Sequence, residues 1–387
     1  MRVLLIDPAA NGKKISSSSY NNGLVEFLSN KVELTLAATC DYEKNGRNIN
    51  VLNCFFHKSN NMKRGRVRSF VRGKEYLSAY LEILKELDKK KYDIVHIQWL
   101  LCYPLDILFL HKIKKKTKKI VYTAHNVVPH VNGNKSKEYL KKIYELVDVI
   151  LVHGEHIKQE FQEVFPEYIH KVKIQHHGEY YKLSTDYQEK NINKEIIKKV
   201  ESYEKVILFS GNIFYNKGLD ILVDIWLKNF KERNALLIIT GEQAYAYPEY
   251  DRQKQEIVKC DNILRFESFV DTNLFNYLAN KSDVMILPYR HASMSAVVFT
   301  AAQFGKMVVA TKTGALEEYL EENKDSILCS PNGQGIYTAI CSVLNDYDKD
   351  KLRSMGAELS RNIHKKFSWD KITEELVKCI YKLKEED

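Results

Sequence analysis

Two short stretches set a strand end, small residues and a cation or hydroxyl in close succession, a pattern suited to holding phosphate. In "FSGNIFYNKGLD" an apolar run ends at Ser210-Gly211, a short loop follows, and Lys217-Gly218 opens a helical pattern. Gly211 lets a ligand come close to the backbone, and Lys217 near a helix N-terminus can neutralise phosphate where backbone amides already point. A surface lysine beside an ordinary turn would read the same way. The stretch "LPYRHASMSAVVFTAAQFGKMVVATKTGALEEYL" (Leu287–Leu320) repeats the design: Pro288-Tyr289 closes a strand, and Ser293, Ser295 and Ala296 sit where the next helix begins. Hydroxyls there add donors to unpaired amides, although plain N-capping by Ser293 or Ser295 uses the same residues. Its acids, Glu317 and Glu318, lie beyond the second strand, so a ligand at the first loop meets backbone groups. Two such seats in one domain point to a diphosphate.

The other candidates are histidines. His125 in "TAHN" follows a strand and should face a cleft, where an imidazole can hydrogen-bond a ligand hydroxyl or oxyanion. A histidine satisfied by backbone is the plain alternative. His153, His176 and His177 also lie at strand ends and read as structural, and His96 as core. The Ser-rich "ISSSSYNNG" after the first strand reads as a mobile loop able to close on a diphosphate, or as a turn without a role. No G-x-S-x-G elbow is present, and no carboxylate is placed by pattern for nucleophilic catalysis. Seven cysteines are scattered singly without a C-x-x-C pair, which reads as reduced thiols and no metal centre.

These residues must be held by an alternating α/β scaffold. Nearly continuous apolar runs, "VLLID", "VELTLAA", "INVLNCFF", "DIVHIQW", "KIVYTAHN", "DVILVHG" and "VKIQHHG", suit strands buried on both faces of a parallel sheet. "EYLSAYLEILKEL" and "EYLKKIYELV" space apolar residues as crossover helices. The polar stretch "STDYQEKNINKEIIKKVESYEK" breaks the pattern, which then restarts from "VILFSG" through "IYTAICSVLND". The fold class is therefore α/β: two Rossmann-like, doubly wound parallel-sheet domains facing a cleft, spanning 1–185 and 195–366. An amphipathic helix over 367–387 joins the first. Ligands of such sheets sit at the carboxyl ends of the strands.

In a chain of 387 residues with 44% hydrophobic content, charge is unevenly spread. Residues 1–180 hold 30 Lys and Arg against 19 Asp and Glu, net +11, while the whole chain is +9. Of its basic clusters, "KRGRVRSFVRGK" (Lys63–Lys74) alternates Arg with Val and Phe, as a segment touching anionic lipid or a phosphorylated acceptor would. No nucleic-acid recognition motif accompanies it. No run is long enough to cross a bilayer, and "MRVLLIDPAANG" breaks too early for a secretion signal, so the expected location is cytoplasmic, at the inner face of the cell membrane.

The succession "GNIFYNKGLD", "LLIITGE", "FVDTNLFNYLANKSDVMILPY" and "FGKMVVATKTGALEE" resembles the donor domain of retaining glycosyltransferase family 4, which has the GT-B fold. "YTAHNVVPH", "VDVILVHGE" and "KIQHHGEY" resemble its acceptor domain, and the tail from "FSWDKI" resembles the family's last helix. The resemblance covers nearly the whole chain. It implies metal-independent, configuration-retaining transfer from a nucleotide diphosphate-sugar, with a UDP-sugar placed ahead of a GDP-sugar, to a glycan or lipid-linked acceptor of surface polysaccharide. By position, Lys217 would hold the diphosphate, and Gly211, Asn212, Gly241 and Glu242 would line the donor site. Phe269 and Val270 would flank the base, and Ser293, Ser295, Ala296 and Thr300 would form the phosphate loop and its helix. His125 would act on the sugar side, and the leaving phosphate would itself deprotonate the acceptor.

Two departures stand out. Where many members carry two glutamates eight positions apart, this chain has Ala292 and Thr300, and the family's arginine after the first glycine is Asn212. A GT-B epimerase or phosphorylase, or a degenerate binding protein, therefore stays open as an alternative. A dehydrogenase does not, because "DPAANGKK" lacks G-x-G-x-x-G.

Overall fold

The computed structural model describes residues 1–10, 15–63, 65–128, 133–180, 184–243, 245–268, 270–292 and 295–383. It divides into two units, Met1–Tyr181 with Phe367–Asp387, and Lys182–Lys366. The first is built on seven parallel strands: β1 (Arg2–Ile6), β2 (Glu33–Thr39), β3 (Asn50–Phe55), β4 (Tyr92–Ile97), β5 (Thr117–Thr123), β6 (Val149–Val152) and β7 (Val172–Ile174). Their order is β3-β2-β1-β4-β5-β6-β7, connected through α1 (Ile15–Ser29), α2 (Arg66–Lys89), α3 (Tyr103–Lys114), α4 (Gly133–Leu146) and α5 (Glu155–Val164). The winding reverses between β1 and β4. Asp7 and Gln98, the residues after those strands, sit at that switch point, and the Gln98 amide donates to the Ile6 carbonyl at 3.0 Å.

The second unit carries β8 (Lys205–Ser210), β9 (Ala235–Thr240), β10 (Ile263–Phe266), β11 (Val284–Leu287), β12 (Met307–Thr311) and β13 (Ser326–Cys329), all parallel, in the order β10-β9-β8-β11-β12-β13. Its helices are α6 (Lys194–Glu201), α7 (Leu219–Asn229), α8 (Pro248–Val258), α9 (Thr272–Lys281), α10 (Ala296–Gln303), α11 (Leu316–Tyr319), α12 (Gly333–Asn345) and α13 (Lys349–Phe367). The switch point here lies between β8 and β11, so the loops carrying Lys217 and Ser295 leave the sheet in opposite directions from adjacent strands. The polar stretch after residue 183 belongs to this unit from its start. Asn276 of α9 donates to the carbonyls of Ser184 and Asp186, and Asn280 to that of Thr185, at 2.8–2.9 Å. Helix α13 escaped the sequence reading because charges dominate it. It nevertheless buries Leu352, Met355, Leu359 and Ile363 at helical spacing.

The closing segment, expected as one amphipathic helix, is a short α14 (Trp369–Glu375) followed by a five-residue π turn, Leu376–Ile380. Trp369 is 1% exposed, and its indole nitrogen donates to the Glu179 carbonyl at 2.7 Å. Its ring fills notches left by two glycines: a Cβ on Gly23 would stand 2.1 Å from the indole, and one on Gly178 2.3 Å. The stretch "ISSSSYNNG", expected as a mobile loop, is the first half of helix α1, while residues 11–14 lie outside the described residues. Serine is a poor helix former, but Tyr20, Leu24, Val25 and Leu28 are all buried, and tertiary packing overrides propensity.

Candidate functional site

In the second unit the loops after β8, β9 and β10 nest. The Gly211 amide donates to Thr240 and that of Gly241 to Phe266, and a Cβ on Gly241 (φ +154°) would stand 2.0 Å from the Gly211 carbonyl oxygen. Only glycine allows this approach. Between the nested loops lies an open cavity of about 170 Å3 that brings together Gly211, Asn212, Gly241, Glu242 and Val270. Gly211 also faces the first turn of α10, with Val297 Cγ2 3.8 Å from its would-be Cβ.

Lys217 ends a 3-10 turn, Tyr215–Lys217, stopped by Gly218 in the left-handed region (φ +63°). A Cβ there would lie 2.0 Å from the Pro288 carbonyl oxygen, so the Lys217 loop rests directly on the loop after β11. The Lys217 ammonium lies 3.8 Å from the centre of the Tyr289 ring, and burial lowers its pKa to about 8. Among the described residues no carboxylate, carbonyl or hydroxyl pairs with it. It is a largely buried cation set over an aromatic face.

The two loops are riveted by Arg290. Its guanidinium meets Asp220 in a fork (2.8 and 2.7 Å) and donates to the Tyr215 carbonyl (2.8 Å), while its own amide donates to Asn216. Burial would raise the Asp220 pKa, but Arg290 and the Tyr247 hydroxyl outweigh it and hold the carboxylate ionised. The next turn is pinned from β12: Thr311 donates to the Tyr289 carbonyl at 2.6 Å, and Gly314 (φ +56°) comes so close to Ala292 that a Cβ would stand 1.7 Å from its oxygen. The hydroxyls nearby are committed. Ser295 caps α10, accepting from the Val297 amide, and shares a hydrogen bond with the Tyr289 hydroxyl at 3.2 Å, while Thr300 donates to the Ala296 carbonyl within the helix.

In the first unit the strand ends carry a chain of side chains. Tyr381 meets His96 Nδ1 at 2.6 Å, His96 Nε2 lies 3.1 Å from the Gln98 amide, Gln98 reaches His125 Nε2 at 3.1 Å, His125 Nδ1 meets His153 Nε2 at 2.9 Å, and His153 Nδ1 meets the Gln175 carbonyl at 2.9 Å. Trp99 stacks on His125 with centroids 4.0 Å apart, and Tyr20 packs edge-on against His125 and His153. The carbonyl fixes the proton of His153 on Nδ1, leaving Nε2 to accept from His125 Nδ1–H. The Gln98 oxygen, Oε1, stands at His125 Nε2 and fits only an imidazolium, so a neutral His125 with a bare Nε2 needs the Gln98 amide turned to present its NH2. Burial, reinforced by the neighbouring histidines, holds His125 well below its ordinary value, and burial takes His153 down to about 4. The pair is therefore neutral at pH 7.

That tautomer logic gives a direct expectation. In Gln98→Glu a carboxylate beside His125 Nε2 favours the imidazolium, so the His125 pKa measured by NMR titration should rise by roughly 1–2 units. An unchanged titration would mean that residue 98 does not bond to His125 in solution.

Comparison with known proteins settles the family. Residues 24–178 match the model of Glycosyltransferase Family 4, and residues 204–346 that of Glycosyl transferases group 1. The chain is a family 4-like glycosyltransferase of the GT-B fold. It is 25% identical over 331 residues to an uncharacterized glycosyltransferase of Methanocaldococcus jannaschii, covering 80% of this chain and 81% of that one. The fold is similar to that of sucrose-phosphate synthase from Thermosynechococcus elongatus, with TM-score 0.69, 14% identity and 97% of both chains covered. It is equally similar to Anabaena HepE solved in complex with UDP-glucose, with TM-score 0.69, 14% identity and 97% and 98% of the chains covered.

The residues singled out in this glycosyltransferase fall into three groups. Gly211, Asn212, Gly241, Glu242 and Val270 share one cavity, and Lys217, Ser295, Ala296 and Thr300 belong to the adjoining loop pair. Phe269 and Ser293 lie outside the described residues. Two of these residues already have partners: Thr300 is 8% exposed with its hydroxyl bonded inside α10, and both ring nitrogens of His125 are bonded within the first unit. A sugar hydroxyl would reach His125 only by replacing Gln98 or His153. Residues that the sequence reading passed over are Ser268 and Phe275, which line the cavity, and the Asp220–Arg290–Tyr247 rivet. Asp220 stood inside the first quoted motif and Arg290 inside the second. Their pairing joins positions seventy apart, which spacing alone does not reveal.

Proposed function

We propose that this glycosyltransferase moves a sugar from a nucleotide diphosphate-sugar, a UDP-sugar before a GDP-sugar, to a glycan or lipid-linked acceptor of surface polysaccharide. Configuration is retained, no metal takes part, and the work is done at the cytoplasmic face of a membrane touched by the basic first unit. The observation that carries the reading is the Lys217 ammonium, which has no counter-ion among the described residues and is held over Tyr289 next to the capped start of α10. A leaving diphosphate supplies the missing negative charge, and Lys217 with the α10 amides takes up the charge that a metal would otherwise neutralise. No glutamate stands at 292 or 300 to repel it. The adjoining cavity, with Glu242 and Val270 on its wall, takes the nucleoside. His125 serves the sugar side by exchanging its Gln98 partner for a substrate hydroxyl. With no side-chain nucleophile assigned, the departing phosphate oxygen takes the acceptor proton as the new glycosidic bond forms on the same face. The binding of UDP-glucose by HepE supports the donor class.

The test is thermal stabilisation by UDP, GDP, ADP and CMP, each with Mg2+ or with EDTA. At a hundredfold excess over Kd, a true ligand stabilises by about 2.7 kcal/mol. One nucleoside diphosphate should stand out, and EDTA should not diminish it. Stabilisation that requires Mg2+ would remove the metal-independent part of the proposal. No stabilisation by any of the four would remove the donor reading.

A further inference from the structure

Helix α2 has two apolar faces. Tyr76, Ala79, Tyr80, Ile83, Leu84 and Leu87 pack inward. On the other side Val67, Phe70, Leu77 and Leu81 are 70, 65, 41 and 46% exposed. With the exposed Lys74 between them they fall at intervals of three, four, three and four, which is one face of a helix over roughly 21 Å. Solvent-facing helix sides are ordinarily polar, and four large apolar residues in register are not explained by the core they turn away from.

The first turns of α2 are also cationic. From Arg66 to Lys74 the helix carries Arg66, Arg68, Arg72 and Lys74, no acid, and nothing that reaches the buried core, which begins at Tyr76. Two of these arginines hold the helix in place. Arg68 Nε donates to the Ser59 carbonyl at 2.9 Å, and Arg72 donates to Asn60 while its guanidinium lies 3.4 Å from the centre of the Phe56 ring. Glu75 completes the brace, accepting from the amides of Lys58 and Ser59. Arg66 and Lys74 stay exposed on the outer side. The result is a braced helix end that presents an apolar stripe within a positive field.

We propose that α2 is a membrane-docking helix, laying Val67, Phe70, Leu77 and Leu81 into the headgroup region of an anionic bilayer while Arg66 and Lys74 pair with lipid phosphates. The chemistry selects this occupant over others. A soluble anion would use the cations but not the apolar stripe, and a second copy of the chain packed about a two-fold axis at the middle of the stripe would set Lys74 against Lys74. The inference gives an address to the membrane contact proposed above and is independent of the transfer chemistry.

The full-length protein would be floated with vesicles of phosphatidylcholine alone or mixed with phosphatidylglycerol, at low and high salt. Binding is expected only with the anionic vesicles, weakening with salt as exposed charges are screened. Val67→Glu with Phe70→Glu, and separately Arg66→Glu with Lys74→Glu, should each lower vesicle affinity at least about tenfold. Val258→Glu, an equally exposed valine on α8 of the other unit, should change nothing. All variants should keep the wild-type nucleotide shift, so failure here is distinguishable from failure of the donor reading. Equal binding of neutral vesicles, wild-type binding by both double variants, or a dimer that Phe70→Glu dissociates would each overturn the proposal.

Discussion

Lys217→Met should leave the free glycosyltransferase as stable as before, or somewhat more so, while lowering kcat by about 10^2–10^3 and removing the nucleotide-induced thermal shift. The two halves of this result come from one geometry. Burial lowers the Lys217 pKa from 10.5 to about 8, so the buried charge costs the fold on the order of 3 kcal/mol at neutral pH. The Tyr289 face returns up to about 2 kcal/mol of that. Because the folded pKa lies below the unfolded one, the cost is complete below about pH 8 and fades as the pH rises toward 10.5. Methionine fills the same space over the ring without the charge. Nucleotide affinity in the wild type should follow the opposite course, because a bound diphosphate raises the lysine pKa. Binding is then strongest below pH 8 and declines above it, by as much as tenfold per unit. Differential scanning calorimetry with and without ligand, plus titration across pH 6.5–9.5, checks every part. A variant that loses stability along with activity would mean that Lys217 is a structural residue.

Trp369→Ala should cost the first unit about 3–5 kcal/mol, the range for truncating a buried aromatic. The indole is 1% exposed, fills the notches at Gly23 and Gly178, packs on Tyr20 and donates to the Glu179 carbonyl. Hydrogen exchange gives the sharper readout: amides of α1, β1 and β4–β6 should lose protection while those of β8–β13 keep theirs. Gly23→Ala alone should also be severe, since its methyl would lie 2.1 Å from the ring, yet in the Trp369→Ala background the same methyl occupies vacated space. The two changes should therefore sum to much less than their separate costs. Strict additivity would contradict the packing described above.

The strands were legible because a parallel sheet buried on both faces forces unbroken apolar runs, as in "VILFS" and "ALLIIT". The two strand-to-helix loops were legible because glycine and small residues mark where the apolar runs stop. What escaped was set by tertiary contact. The serines of α1 fold as helix because the residues after them are buried, and α13 hides four apolar residues among charges. The ring nitrogens of His125 looked available because Gln98 and His153, the groups that occupy them, lie 27 and 28 positions away. The Arg290 rivet was written in the sequence twice, once in each loop, but nothing in either loop says that they touch.

Trp369 belongs to the first unit, yet on the ribosome it is made after all of Lys182–Lys366. At 5–20 residues per second the second unit takes roughly 10–40 s to synthesise. For that time the first 181 residues exist without the ring that fills their glycine notches and without the tyrosine that reaches His96. The second unit is one continuous segment, whereas the half with the histidine chain must wait for residues on both sides of it. Nascent protein truncated before Trp369 should therefore carry a first unit that stays sensitive to proteolysis.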